Sequence, residues 1–89
     1  MRNLNTIAAE IHTSWRQRPP SSFTLAHAMP YLEAMKEIRT VKDTYGLETG
    51  DDIVMRFLVN AAYWRGDDAR RLKAELNEHL KGVNVPHQG

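Results

Sequence analysis

The chain contains no cysteine, which excludes disulfides, thiolate nucleophiles and cysteine-ligated zinc or iron–sulfur sites. That absence fits a reducing compartment. It also lacks a long apolar run. The longest spans only a few residues, far short of the ~20 needed to cross a bilayer. Met1 to Thr6 carries no apolar signal-peptide stretch, and no Asn-x-Ser/Thr acceptor occurs. The expectation is a cytoplasmic protein with no membrane partner. An excess of charge is missing too. Twelve Lys and Arg stand against 11 Asp and Glu, for a net charge of +1. This balance argues against a general polyanion binder, which carries a clear basic excess, but it leaves room for a local patch.

What is present is ordinary globular material: 42% apolar and 26% charged residues in a chain of 89. That length makes one domain, expected over residues 1–82, with 83–89 as a flexible C-terminal tail ending in a Pro86-containing stretch. A chain this short buries only ~60% of the surface its unfolded form exposes. A deep enclosed pocket is therefore difficult to build, and self-association would add buried area.

The periodicity predicts an all-α fold, a compact bundle of about four short helices with no convincing strand. Leu4, Ile7, Ala8, Ile11 and Trp15 recur at helical steps and place the first helix at about Asn5 to Gln17, with Asn3 or Asn5 to cap it. Arg18-Pro19-Pro20-Ser21-Ser22 stops it. Thr24 caps a short turn through Leu25 to Ala28. Pro30 fits the first position of a second main helix, where its missing N–H costs nothing. Tyr31, Leu32, Met35, Ile38, Val41 and Tyr45 then form one stripe, closed by Gly46 in the left-handed conformation. Thr49-Gly50-Asp51-Asp52 offers caps for a third helix. Its buried face is Ile53, Val54, Phe57, Leu58 and Ala61, with Trp64 near its end. Gly66 terminates it and Asp67 at once caps the fourth, whose stripe is Ala69, Leu72, Leu76 and Leu80, ending at Gly82. The Arg65-Gly66-Asp67 link is so short that helices three and four must meet at a tight corner.

Several of these pieces also resemble a known kind of protein. Tyr31-Leu32-Glu33-Ala34-Met35, Tyr45-Gly46, Asp52-Ile53-Val54, Phe57-Leu58, Asn60-Ala61, Trp64-Arg65-Gly66, Ala69-Arg70 and Lys73-Ala74-Glu75-Leu76-Asn77 resemble small uncharacterised proteins encoded by tailed bacteriophages. The resemblance covers residues 31–77, roughly half the chain. It implies a viral or mobile-element origin, hence the host-cell cytoplasm, and carries no activity or functional residue with it.

Catalytic and metal signatures are absent from the sequence. No His-Glu-x-x-His occurs, and no two of His12, His27, His79 and His87 lie one helical turn apart. Glu75 and His79 could share a metal ion, but two ligands do not close a site, and an ordinary i,i+4 pair accounts for them. Asp51-Asp52 and Asp67-Asp68 sit at helix starts, where capping explains paired acids. Ser14, Ser21 and Ser22 lie in no Gly-x-Ser-x-Gly elbow. No phosphate-cradling glycine loop exists. A non-enzyme without a cofactor is expected.

Two Trp-Arg corners remain. Trp64-Arg65 opens a run that continues through Arg70, Arg71 and Lys73, and Trp15-Arg16-Gln17-Arg18 closes the first helix. If they meet, Trp64, Arg65, Arg70, Arg71, Lys73, Arg16 and Arg18 make an aromatic-edged basic patch, the composition of interface hot spots and of phosphate contacts. The competing arrangement has both tryptophans in the core and the arginines solvated against Asp67, Asp68 and Glu75. Phe23, after the Pro-Pro-Ser-Ser loop, is either presented or tucked into the core. Helix four makes a poor DNA-recognition helix, because it begins with two acids where base edges should be approached. The leading expectation is a small binding protein that docks on and modulates a larger protein, as a phage or mobile-element inhibitor or accessory factor. Two alternatives stay open: a nucleic-acid-binding accessory protein using the Arg/Trp patch, and a homo-oligomer that sequesters a small anionic ligand between subunits.

Overall fold

Four helices carry the chain: α1 Leu4–Gln17, α2 Ser22–Met35, α3 Gly50–Asn60 and α4 Asp67–Asn84. The computed structural model describes residues 1–84. A two-stranded antiparallel hairpin, β1 Thr44–Tyr45 and β2 Glu48–Thr49, stands between α2 and α3. The fold is thus mainly helical, with one small sheet that the periodicity did not signal. The helices close into a ring in which α1 and α3 each pack on both α2 and α4.

The first helix forms as its apolar spacing dictates. Leu4, Ile7, Ala8, Ile11 and Trp15 are all buried on one face. Its N-cap is Asn3, although the Asn3 side chain makes no capping bond. The Leu4 N–H instead donates to the Arg39 carbonyl at 2.8 Å, so a distant loop satisfies one of the helix's orphan donors.

The second helix differs most from expectation. Ser21, not Thr24, is the cap: its Oγ accepts the Thr24 N–H and donates to Thr24 Oγ1, at 3.2 and 3.1 Å. Pro30 lies inside the helix rather than at its start. An interior proline loses one backbone bond and costs about 3 kcal/mol. Burial of Ala28, Leu32, Ala34 and Met35 against the core, including α3, offsets that loss. The helix then ends at Met35 instead of running on to Tyr45. The backbone tightens to i→i−3 bonds at Glu37 and Ile38, and Asp43 holds the loop that follows, its Oδ2 accepting the N–H groups of Arg39 and Thr40 at 2.8 and 3.1 Å. A short acidic side chain that bonds nearby backbone offers an alternative to the helical ladder. Ile38 and Val41 are still buried, so they belong to the core while sitting in a loop.

Gly46 does adopt a left-handed conformation, with φ 64°, but in the hairpin turn. Among the described residues no non-glycine residue has positive φ, so Leu47, the second turn residue, does not. Positive φ at the first central position alone is the type II′ pattern that suits a two-residue hairpin. The hairpin delivers Gly50 to the start of α3. There the Gly50 N–H donates to the Asp43 carbonyl at 2.7 Å and the Asp51 N–H to the Val41 carbonyl at 3.1 Å. These carbonyls cap α3; the Thr49 side chain does not. The approach is so close that a Cβ on residue 50 would lie 2.7 Å from the Thr40 carbonyl oxygen and 2.8 Å from Val41 Cα. Only glycine fits unstrained.

The core gathers Ile53, Val54, Phe57 and Ala61 of α3 with Ala69, Leu72 and Leu76 of α4. Leu58 and Leu80 pack at its edge, partly buried. Gly66, at φ 117°, turns the chain between α3 and α4 as expected. Gly82 does not end α4, which continues to Asn84. The rest of the expected tail, residues 85–89, lies outside the described residues. No described helix is long and apolar enough to cross a membrane.

Candidate functional site

The two Trp-Arg corners come together at one end of the ring. Trp15 and Trp64 meet edge to face, centroids 5.3 Å apart at 87°, and Trp15 stacks on Phe57 at 5.8 Å. Both indoles are core: Trp15 is 2% and Trp64 6% exposed. Their periodicity places them on the inner faces of their segments, and burying such rings is worth more than presenting them. Trp64 is therefore not available to touch a partner. The Trp15 N–H is buried without a hydrogen-bond partner, so packing alone holds that ring.

Trp64 contributes to a groove of about 450 Å³ between the end of α1 and the α3–α4 corner, lined also by Arg18, Pro19, Pro20, Tyr63, Arg65, Asp67 and Asp68 among others. Its walls are joined by Ser14, a buried hydroxyl that donates to Asp68 Oδ2 at 2.9 Å. The seven cationic and aromatic positions named from sequence divide sharply here. Arg16, Arg18 and Arg65 are exposed, and none makes an ion pair among the described residues. Arg70 is exposed but pairs with Asp67 at 2.7 Å. Arg71 is drawn away from the corner, pairing with Glu10 at 2.7 Å and Asp68 at 3.4 Å. Lys73 folds back, donating to the Trp64 carbonyl at 2.7 Å with its ammonium 5.7 Å from the Trp64 ring. Burial, and secondarily the charge of Arg65, push the Lys73 ammonium below its ordinary range.

Arg71 belongs to a seam along α1 and α4 that spacing alone could not reveal. Arg2 forks onto Glu75, Nε to Oε1 at 2.9 Å and Nη2 to Oε2 at 2.6 Å. It also reaches Glu10 at 2.8 Å. Arg71 and Arg2 together hold the Glu10 carboxyl below its usual range, and Arg2 does the same for Glu75. His79 is buried and its Nε2 donates to the Arg2 carbonyl at 2.7 Å. Glu75 and His79 thus both fasten the N-terminal segment to α4. Among the described residues no group of three or more His, Asp or Glu is placed to hold a metal ion.

Tyr63 is the groove residue that sequence reasoning missed. It is 75% exposed, and its signal in sequence is weak, because it lies in the turn beyond the end of α3 at Asn60, where helical register no longer applies. Phe23 is also exposed, in the first turn of α2, with its ring stacked on His27 at 4.1 Å. Chemically the groove offers two guanidiniums and a phenol opposite Asp67 and Asp68. Asp68 is tied to Ser14 and Arg71. The chain matches no protein-family model, no curated protein and no solved structure.

Proposed function

We propose that the protein is a non-enzymatic binding module that docks on a larger protein through the corner where α1 ends and α3 turns into α4. One observation carries this reading. Arg18 and Arg65 stand exposed, without carboxylate partners among the described residues, on a groove edged by Tyr63, with Arg16 exposed on the same helix end outside its lining, while Arg2, Arg70 and Arg71 are all paired. Arginine and tyrosine are the residues that dominate interface energetics. Asp67 and Asp68 on the same groove oppose a phosphate backbone, which favours an acidic, apolar-centred protein surface over nucleic acid. A phage or mobile-element factor that inhibits or assists a host protein would act in this way.

The test compares proteins captured from host extract by the native chain and by an Arg18→Glu/Arg65→Glu variant, with nuclease present. The expected result is one stoichiometric protein lost from the variant and indifferent to nuclease. An identical captured set for both baits removes the corner from the binding surface. Loss of capture on nuclease treatment transfers the reading to nucleic acid.

A further inference from the structure

The cations of α4 keep different company according to their register. Arg71 has Asp67 and Asp68 one turn before it and Glu75 one turn after, the spacing at which helical side chains meet, and it pairs with Asp68 and with Glu10. Lys73 has Ala69, Arg70, Leu76 and Asn77 at those positions, so its own helix supplies no acid. Its ammonium donates instead to the Trp64 carbonyl at 2.7 Å. A cleft of about 290 Å³ opens there, lined by Arg65, Arg70 and Lys73 together with Trp64, Gly66 and Ala69. No carboxylate lines it, whereas the docking groove, which shares Trp64, Arg65 and Gly66, carries Asp67 and Asp68. Neither Lys73 nor Arg65 makes an ion pair among the described residues.

We propose that this cleft seats a single phosphate group, held by the Lys73 ammonium and the Arg65 guanidinium, with Arg70 as a third arm. Two cations that share a cleft without a counter-ion repel each other, and an oxyanion between them turns that repulsion into attraction. Lys73 is half-buried. Burial, and then the charge of Arg65, push its amine below its ordinary range, so the ammonium has hydration to recover from a ligand. It has three N–H donors, and the Trp64 carbonyl takes one. Arg65 adds a planar fork suited to phosphate oxygens. A phosphate monoester carries close to two negative charges near neutrality, which matches the two unpaired cations; a carboxylate carries one. Arg70 is engaged with Asp67 at 2.7 Å, but both side chains are exposed, and such a pair holds weakly enough to be exchanged for a stronger anion. Asp67 and Asp68 at the corner oppose a run of phosphates, so the group arrives alone, on a small molecule or on a phosphorylated side chain. The seat goes beyond the docking reading and does not depend on it.

The probe is inorganic phosphate, titrated against chloride at matched ionic strength near neutral pH and followed by NMR of backbone amides and lysine side chains. The expected result is a set of saturating shifts confined to Trp64 through Arg70 and Lys73, with a dissociation constant on the order of 1 mM. The titration of the Lys73 amine should move upward in phosphate and stay in place in chloride, because a neighbouring anion favours the charged form. That readout uses the native chain and needs no variant to fold. Arg65→Ala and Lys73→Met should each weaken binding roughly tenfold. Asp67→Asn releases Arg70 and should tighten it. Lys42→Ala removes an exposed cation that lies outside the cleft and should leave it unchanged. A phosphoserine peptide with uncharged flanks separates the two sources of the group. Affinity equal to that of inorganic phosphate assigns the seat to small phosphates, and a gain of roughly tenfold assigns it to a phosphorylated segment of a partner. Shifts that do not saturate, a Lys73 amine that phosphate leaves in place, or native affinity in Arg65→Ala would each overturn the inference.

Discussion

Arg2 grips Glu75 through two hydrogen bonds, 2.9 and 2.6 Å long, across 73 residues of sequence. The forked geometry fixes the N-terminal segment against α4. Its sign with pH follows from the depressed carboxyls of Glu75 and Glu10. A carboxyl held below its unfolded value stabilises the fold at pH above that value, and the contribution is lost as pH falls through the folded one. Stability should therefore be flat near neutrality and decline as pH drops below about 4.3, the ordinary glutamate value. Glu75→Gln should lower the melting temperature at pH 7 modestly, since partly exposed pairs give about 0–1 kcal/mol. The same variant should narrow the difference from the native protein at pH 3. A variant that loses as much at pH 3 as at pH 7 would show that the pair contributes by shape rather than charge.

Glycine positions give a prediction of opposite signs. Gly50→Ala adds a methyl 2.7 Å from the Thr40 carbonyl, against backbone that cannot swing aside. The helix-propensity gain of up to ~1 kcal/mol is outweighed by overpacking of about 1–3 kcal/mol, so the variant should be destabilised. Gly82 lies within α4, with open space where a Cβ would be. Gly82→Ala should raise stability by about 0.5–1 kcal/mol. Urea titration of both variants checks the pair.

The same positions show what was legible in sequence. Helices α1, α3 and α4 follow from apolar spacing, because each has one buried face and charges on the other. The corner at Gly66 follows from the shortness of the link. The stretch from Lys36 to Thr49 did not follow. Ile38 and Val41 keep the helical interval after Met35, yet they are buried as loop residues. What holds that loop is a side chain, Asp43, bonding backbone four residues earlier, and one-dimensional spacing does not register it. Pro30 misled for a related reason, since packing tolerates an interior proline that propensity forbids. At the candidate site, the sequence brought forward the right corner but could not separate Trp64, which faces the core, from Tyr63, which faces solvent. Nor could it show that Arg71 turns toward Glu10, a residue 61 positions away.

Core energetics should separate three neighbours on α3. Phe57 is fully buried and stacks on Trp15, so Phe57→Ala should cost about 3–5 kcal/mol, much of the stability of a domain this size. Leu58, expected inside, packs only at the edge, and Leu58→Ala should cost roughly 1 kcal/mol. Val59→Ala, on the exposed face of the helix, should change stability by less than about 0.5 kcal/mol. Chemical denaturation at low protein concentration ranks the three. Any other order would mean that α3 is rotated about its axis.

The cations at the corner should divide into those that hold the fold and those that do not. Arg71 joins α4 to Glu10 on α1 and also reaches Asp68, so Arg71→Ala leaves Asp68 without a counter-charge and Glu10 with Arg2 alone. A loss near the upper end of the 0–1 kcal/mol range for exposed pairs is expected, about 1 kcal/mol. Added salt should screen part of the interaction that the variant lacks and so shrink the difference. Arg16, Arg18 and Arg65 have no such partner among the described residues. Replacing all three by alanine removes mutual repulsion as well as charge, so stability should stay within about 0.5 kcal/mol of native. Trp64→Ala stands at the other extreme: it would open the lining of the groove and cost about 3–5 kcal/mol, which makes it unusable as a binding variant. Thermal melts of the three proteins at low and high salt read the division. If the triple variant melts as early as Arg71→Ala, the unpaired arginines are structural, and the corner loses its claim to be a surface kept for a partner.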